Sequence, residues 1–336
     1  MGSSSTSSDI FTTIIDGGGR YGLHPSWKPF SGELKYFLFE TDQAECQRLN
    51  TKYQHRSENI KIINSALSDS TEDVTINFLK NRAMSSSSTR NPISPLFKAG
   101  SGRELEVEIV SSARISATTI DHFCNQNELT INFLKLDTEG SEFKILQGAK
   151  NQLKHNILGL RCEVNFDYVF EGEPIFSQIH DFMLSNGFYL LNLDYEGKGD
   201  YQSNLIRADS KYGVLTTTDA IWMRRPKLLF DSVSSDERMA CINIMKYASF
   251  CLLNNAPDVA LSLLINARKD FNLHFTQFSD TNLYKFLDKK IHDLFYSLKW
   301  QPGQSLEQHQ ITFSQIFEKK MKVINEYMES IELNPD

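Results

Sequence analysis

Apolar and polar positions along this chain alternate between short buried runs and helical periods. Thr13-Ile14-Ile15 closes on Asp16 and the glycines Gly17, Gly18 and Gly19, with Gly22 beyond. Such a run predicts a buried strand that turns sharply and leaves bare backbone against a ligand. Leu34 to Phe39 repeats the pattern and ends at Glu40, after which Thr41-Asp42 leads into a helical period through Cys46 and Leu49. Ile60 to Ala66 predicts a third strand, with Leu67-Ser68-Asp69 at its end. Between Glu72 and Thr119 the period changes to strict alternation, and VTINF at 74–78 and RELEVEIV at 103–110 predict two strands. A Ser-, Pro- and Gly-rich insertion at 81–102 joins them. It is too long for a plain connection, so 82–103 reads as a substrate-side flap or a disordered linker, with Arg90 as its anion-binding group.

Ile131 to Leu136, with Lys135 interposed, predicts a strand ending in Asp137-Thr138-Glu139-Gly140, and Phe143, Leu146, Ala149 and Leu153 then keep helical spacing. A strand at Leu158 to Val164 carrying Glu163, a helix at Ile175 to Ser185 and strands at Phe188 to Leu193 and Thr217 to Met223 continue the alternation. The sum is an α/β fold: a doubly wound, mostly parallel, seven-stranded sheet whose last strand arrives by a hairpin-like, antiparallel path. From Asp231 onward the pattern is helical. Leu283, Phe286, Leu287, Ile291, Leu294, Phe295 and Leu298 form one apolar stripe, and Phe313, Ile316, Phe317, Ile324, Tyr327, Met328 and Ile331 a second. Residues 247–267 resemble one helical hairpin without a second copy. The chain thus divides into a leader at 1–12, an α/β domain at 13–230 and a helical appendage at 231–336, which covers the domain, makes a homo-oligomer or carries a protein-partner surface.

Composition acts mainly by exclusion. No apolar run approaches the roughly 20 residues a membrane span requires, and MGSSSTSSD lacks the basic and apolar regions of a signal peptide, so a cytoplasmic protein is expected. A net charge of -7 and a pI near 5.7 argue against a nucleic-acid partner. Arg224, Arg225 and Lys227 are expected to be a solvated strand end. The five cysteines show no CxxC spacing and the eight histidines no HxxxH pair, so packed, reduced thiols and no metal site are expected.

The candidate chemistry lies at strand ends. Gly17, Gly19 and Gly22 satisfy GxGxxG and suggest a dinucleotide, yet Asp16 before them is more typical of loops that hold an adenosyl sulfonium. Pro25 and Pro29 break the continuous helix that a dinucleotide loop opens, which disfavours an NAD-dependent oxidoreductase. Glu40, 24 residues after Asp16, is placed to bind both ribose hydroxyls of a nucleoside, or else to face a helix dipole. Ala66 to Asp69 suits an adenine ring or an ordinary turn. Asp137, Glu139 and Glu163 put carboxylates on loops where ligands collect; alternatively Glu139 caps the next helix and Glu163 pairs with Lys135. Glu142 is read as complementing a helix dipole, and His24 as a less favoured base.

Together these stretches resemble the FkbM-type methyltransferases, a branch of the S-adenosylmethionine (SAM) dependent class I fold. The resemblance covers 14–223. KLDTEGSEFKILQGA at 135–149 matches the family's Lys-x-Asp-x-Glu-Gly-x-Glu segment, supported by Phe39-Glu40, Ala66-Leu67-Ser68-Asp69, Thr118-Thr119-Ile120-Asp121 and Glu163-Val164. Departures are Arg20 at a usual Asn position, Thr41 in place of Pro, and a C-terminal region that matches nothing. The resemblance implies that Asp16, Gly17, Gly18, Gly19 and Gly22 hold the amino-acid portion of SAM, Glu40 and Thr41 its ribose, and Ala66, Leu67 and Ser68 its adenine, with Asp137 also near the cofactor. Arg20 would meet the methionine carboxylate or face the acceptor. Asp137, Glu139 and Glu163 are then candidates for acceptor binding or base. The acceptor implied is a hydroxyl on a small molecule, sugar, glycan or polyketide-like product; a non-catalytic scaffold built on the same fold is the rival reading.

Overall fold

A computed structural model describes residues 10–30, 32–94, 105–194, 200–202, 214–230 and 236–297. The chain separates into two compact units, one of 11–28 and 34–225, the other built on 226–336 with 1–10 and 29–33.

The first unit is a sheet with strand order β10-β12-β9-β8-β1-β2-β3, with β11 paired to β12. β1 (Thr12–Gly17) lies between β2 (Leu34–Phe39) and β8 (Phe133–Leu136), and β3 (Ile60–Ile63) and β9 (Gly159–Asn165) continue the parallel run on either side. β12 (Val214–Arg224) returns antiparallel between β9 and β10 (Phe188–Asp194), and β11 (Asp200–Gln202) pairs with it. α1 (Gln43–Tyr53), α2 (Ile120–Gln126), α3 (Glu142–Gln147), α4 (Lys150–His155) and α5 (Phe176–Ser185) are the interleaved helices.

Alternation along each strand divides the buried sheet into two unlike faces. Ile15, Leu134, Leu136, Leu160, Cys162, Val164, Ala220 and Trp222 point to one side and pack with Ile120, Ile145, Leu146, Ile179 and Met183 of the helices. The register sets Asp16 beside Lys135, Lys135 beside Arg161, Glu163 beside Asp219 and Asp219 beside Asp194. A row of charge therefore crosses five strands inside the sheet's polar face.

Several local expectations are corrected. The third strand stops at Ile63; Ala66–Leu67 is a separate two-residue strand, β4, paired with β7 (Ala117–Thr118). The second alternating strand is displaced to Ile109–Ile115 (β6), which pairs antiparallel with Val74–Leu79 (β5). β6 is exposed along most of its length, so no buried face selects its register and pairing with β5 decides it. The helical spacing after Gly140 is split into α3 and α4 at Gly148, where a Cβ would lie 2.3 Å from the Ser68 carbonyl oxygen. Arg224 is buried: its guanidinium donates to the carbonyls of Ile157 (2.7 Å), Lys154 (3.0 Å) and Leu153, satisfying the end of α4. The insertion is ordered over 81–94, while 95–104 lies outside the described residues. All five cysteines are buried and free.

In the second unit, α6 (Pro226–Phe230) precedes the hairpin of α7 (Glu237–Leu253) and α8 (Pro257–Phe271), and α9 (Asn282–Ser297) follows. Leu283, Leu287 and Ile291 form a buried stripe on α9. The stripe expected at 313–331 lies outside the described residues. Segment 29–33 belongs to this unit: Phe30 packs on Phe286 with ring centroids 5.8 Å apart, and the Glu33 carboxylate accepts from the Asn282 and Leu283 amides at 2.8 and 2.9 Å. No described helix is long and apolar enough to cross a membrane.

Candidate functional site

The carboxyl ends of β1, β2, β4 and β8 border an open cleft of ≈ 420 Å³. Parallel strands collect ligands at these ends. Of the glycine loop, Gly17 and Gly18 line the cleft. Gly18 has φ +83, and a Cβ there would stand 1.8 Å from the Asp137 carbonyl oxygen, so the glycine loop and the Asp137 loop touch backbone to backbone. The amides of Gly18 and Gly19 both donate to the Phe39 carbonyl at 3.2 Å, tying the loop to the end of β2. Gly19 is packed on Leu38 and Gly22, at φ +86, on Tyr53; neither is on the cleft wall.

β2 delivers Glu40, Thr41 and Asp42 to the cleft. Glu40 is buried, and its Oε1 accepts from the Asp42 amide at 2.8 Å. Burial pushes its carboxyl above the ordinary range, against the pull of that hydrogen bond and of Arg20. Asp42 caps α1 through the Ala44 amide and pairs with Arg20 at 3.2 Å. Arg20 is thus drawn to the Glu40 side of the cleft. Ala66, Leu67 and Ser68 form the adjoining wall, where the Ser68 hydroxyl donates to Asp69 at 3.1 Å.

Asp16 is elsewhere. Fully buried, it takes hydrogen bonds from Tyr36 and from Lys135 Nζ (3.0 Å), and Lys135 also lies 3.7 Å from Asp137. Burial raises the Asp16 pKa, partly offset by Lys135 and Tyr36, and burial followed by the charge of Asp16 drives the Tyr36 hydroxyl well upward. His24 enters through its backbone, hydrogen-bonded to Tyr36.

Asp137, Glu139 and Glu163, from three positions in sequence, bring carboxylate oxygens within 4.8 Å of one another. The loop that carries the first two is stiffly held. Glu139 has φ +59, a conformation that a residue with a side chain keeps only under outside constraint, whereas Gly140 adopts its φ of +103 freely. Glu142 is part of that constraint: it is buried and accepts from Thr138 N (2.6 Å), Thr138 Oγ1 (2.8 Å) and Gly140 N (3.0 Å). Its role is to shape the loop, beyond the dipole complement expected from its place in α3. Burial raises its pKa, opposed by these hydrogen bonds.

The rest of the constraint comes from the insertion. Ser86 donates to the Glu139 carbonyl, Ser88 Oγ to the Gly140 carbonyl (3.1 Å), and Arg90 pairs with Glu139 at 3.3 Å while donating to the Met84 carbonyl and covering the Phe170 ring. Burial lowers the Arg90 pKa, with Glu139 and Glu163 opposing. Arg90 is therefore engaged with the protein's own carboxylates. Sequence reasoning also missed the roles of Lys135 and Tyr36. The available signal was a lysine inside an otherwise apolar strand, which is seldom buried without a partner.

Residues 29–190 match the family model described as the methyltransferase FkbM domain; the match begins after β1. Among solved structures, the chain is similar to a methyltransferase FkbM from Methylobacillus flagellatus KT, at 14% identity and TM-score 0.37 over 64% of this chain and 44% of that one. It is also similar to precorrin-6y C5,15-methyltransferase from Geobacter metallireducens GS-15, at 8% identity and TM-score 0.32 over 64% and 82%. A third is the N-terminal domain of human METTL16 in complex with SAH, at 11% identity and TM-score 0.31 over 66% and 64%. The chain spans less than half the length of the first of these. No curated relative matches the sequence.

Proposed function

We propose that the cleft binds SAM and that the chain methylates a hydroxyl oxygen of a sugar, glycan or polyketide-like acceptor, a reading supported by the match of residues 29–190 to the methyltransferase FkbM domain model. The observation that carries this reading is the meeting of Asp137, Glu139 and Glu163, the first two of which line the same cleft as Glu40.

The residues fit the cofactor. Glu40 uses one oxygen on the Asp42 amide, and no donor among the described residues reaches the other, which suits a ribose diol. The backbone of Gly17 and Gly18 and the wall of Ala66 to Ser68 suit the remaining parts of a nucleoside-bearing amino acid. When bound, SAM supplies a methyl group on an already electrophilic sulfonium.

The protein's share is then alignment and proton removal. Transfer would form the O–C bond as the methyl–sulfur bond breaks and S-adenosylhomocysteine leaves, and the chain's part would be for one carboxylate of the cluster to take the acceptor's proton. A positioned base of this kind contributes roughly 10²- to 10⁴-fold. Lys135 and Arg90 hold Asp137 and Glu139 in place. The cleft is also lined by Thr75, Arg82, Ser85, Ser86 and Ser87 beside Val74, Ile76 and Phe78, a mixed wall whose hydroxyls and cation support a hydroxylated acceptor.

Calorimetric titration with SAM and transfer of labelled methyl to fractionated glycans and small metabolites test the reading. Binding and a labelled hydroxyl product are expected. No heat with SAM, or label appearing only on nitrogen, would overturn it.

A further inference from the structure

We propose that Asp137, Glu139, Glu163 and Asn165 form a site for one divalent cation of the magnesium or manganese kind. The three carboxylates each offer an oxygen within 4.8 Å of the others. Oxygen ligands that share one hard cation at about 2.0–2.6 Å lie within such a span of each other.

The fourth ligand rests on a separate observation. Asn165 is 7% exposed, and its Oδ1 is buried with no hydrogen-bond donor among the described residues. β9 keeps an uninterrupted register against β12 from Gly159 to Asn165, so the side chains of Glu163 and Asn165, two residues apart, leave the same face of the strand. Both stand at its carboxyl end, beside the loop that follows β8. A buried amide oxygen without a donor is an anomaly in a native interior; a cation at the carboxylate cluster resolves it, since side-chain carbonyls are ordinary ligands of hard cations.

Lys135 lies 3.7 Å from Asp137 and Arg90 pairs with Glu139 at 3.3 Å, so both act as the outer partners that orient ligating carboxylates. With four oxygen donors and no thiolate or imidazole, the set selects magnesium or manganese over zinc. Such ions keep several waters, which leaves positions for an acceptor hydroxyl, and a hydroxyl on a divalent ion loses its proton more readily. That role rests on the methyltransferase reading; the binding of the ion does not.

The test is manganese uptake by the full chain, without SAM, followed by electron paramagnetic resonance and by the manganese-induced rise in melting temperature. One equivalent of Mn²⁺, displaced by excess Mg²⁺, is expected. Glu163→Gln and Asn165→Leu should each weaken uptake at least about tenfold. Asn165→Leu should also melt no lower than wild type in EDTA, because it removes an unsatisfied buried group, while losing the manganese-induced rise. Absence of uptake by the wild-type chain at millimolar Mn²⁺, or uptake unaltered in both variants, would overturn the site. SAM calorimetry run beside it in EDTA separates the two ideas. Heat with SAM but no manganese uptake sinks the cation site and leaves the methyltransferase reading; uptake without SAM binding supports the site and sinks that reading.

Discussion

Lys135 sits in the middle of a strand whose four residues are all buried, held by Asp16 and close to Asp137. Removing one member of a buried ion pair strands the other, at a cost of about 3–5 kcal/mol. Asp16→Ala is therefore expected to destabilise the α/β unit by about that amount in urea denaturation, and Asp16→Leu combined with Lys135→Met to recover most of it. A loss under about 1 kcal/mol for the single variant, the size of an ordinary exposed pair, would show that Asp16 is not the ammonium's main partner. Glu40 makes a pH prediction. Its folded pKa is raised by burial above the ordinary 4.5, so the folded chain keeps this proton after the unfolded chain has lost it. Stability from this group is complete below 4.5 and falls as pH climbs through the raised folded value, then levels. Glu40→Gln removes the effect and keeps an acceptor for the Asp42 amide. Thermal melts between pH 4 and 8 should show the variant gaining on wild type as pH rises; a gap that narrows instead would contradict the burial argument.

Among the elements, the insertion after β5 departs furthest from what its composition suggests. Polar, Pro-bearing segments are ordinarily loops, and nothing in Ser85-Ser86-Ser87-Ser88 announces a contact some fifty residues away. Yet Ser86, Ser88 and Arg90 fasten 81–94 to the Glu139-Gly140 turn. Arg90→Ala removes hydrogen bonds to a carboxylate and to the Met84 carbonyl. Charged hydrogen bonds contribute about 1.5–3 kcal/mol, so amide exchange across Asn81 to Ser94 should quicken by about tenfold or more while exchange in β1 and β9 is unchanged. Equal exchange in the two proteins would mean the serines alone hold the segment. The division of α3 from α4 was invisible for a related reason: periodicity records one face of a helix, not the approach of the Ser68 turn to Gly148.

At the scale of the whole molecule, five residues far from the C-terminal helices in sequence belong to the helical unit. Glu33 caps α9 from 249 residues away. Loss of such a cap costs typically about 1 kcal/mol. Glu33→Ala should lower the free energy of opening of the helical unit, followed by amide exchange at Asn282 and Leu283, by that amount. Unchanged protection at these two amides would show that the cap carries no stability.

The alternating periods of apolar residues were enough to read the parallel strands, the late antiparallel return and the helical hairpin, because those signals are local and repeat within ten or so residues. The acids at strand ends were legible for the same reason: an apolar run that stops at Asp137 or Glu40 marks where the backbone leaves the sheet. What tertiary structure decided was lateral. Which side chains share a face is settled by register between strands that lie up to about 120 residues apart, as with Lys135 and Asp16. Whether Arg90 meets a ligand or Glu139, whether Glu142 serves a helix or a loop, and whether Asn165 finds a donor all depend on that register. No single strand's sequence contains it.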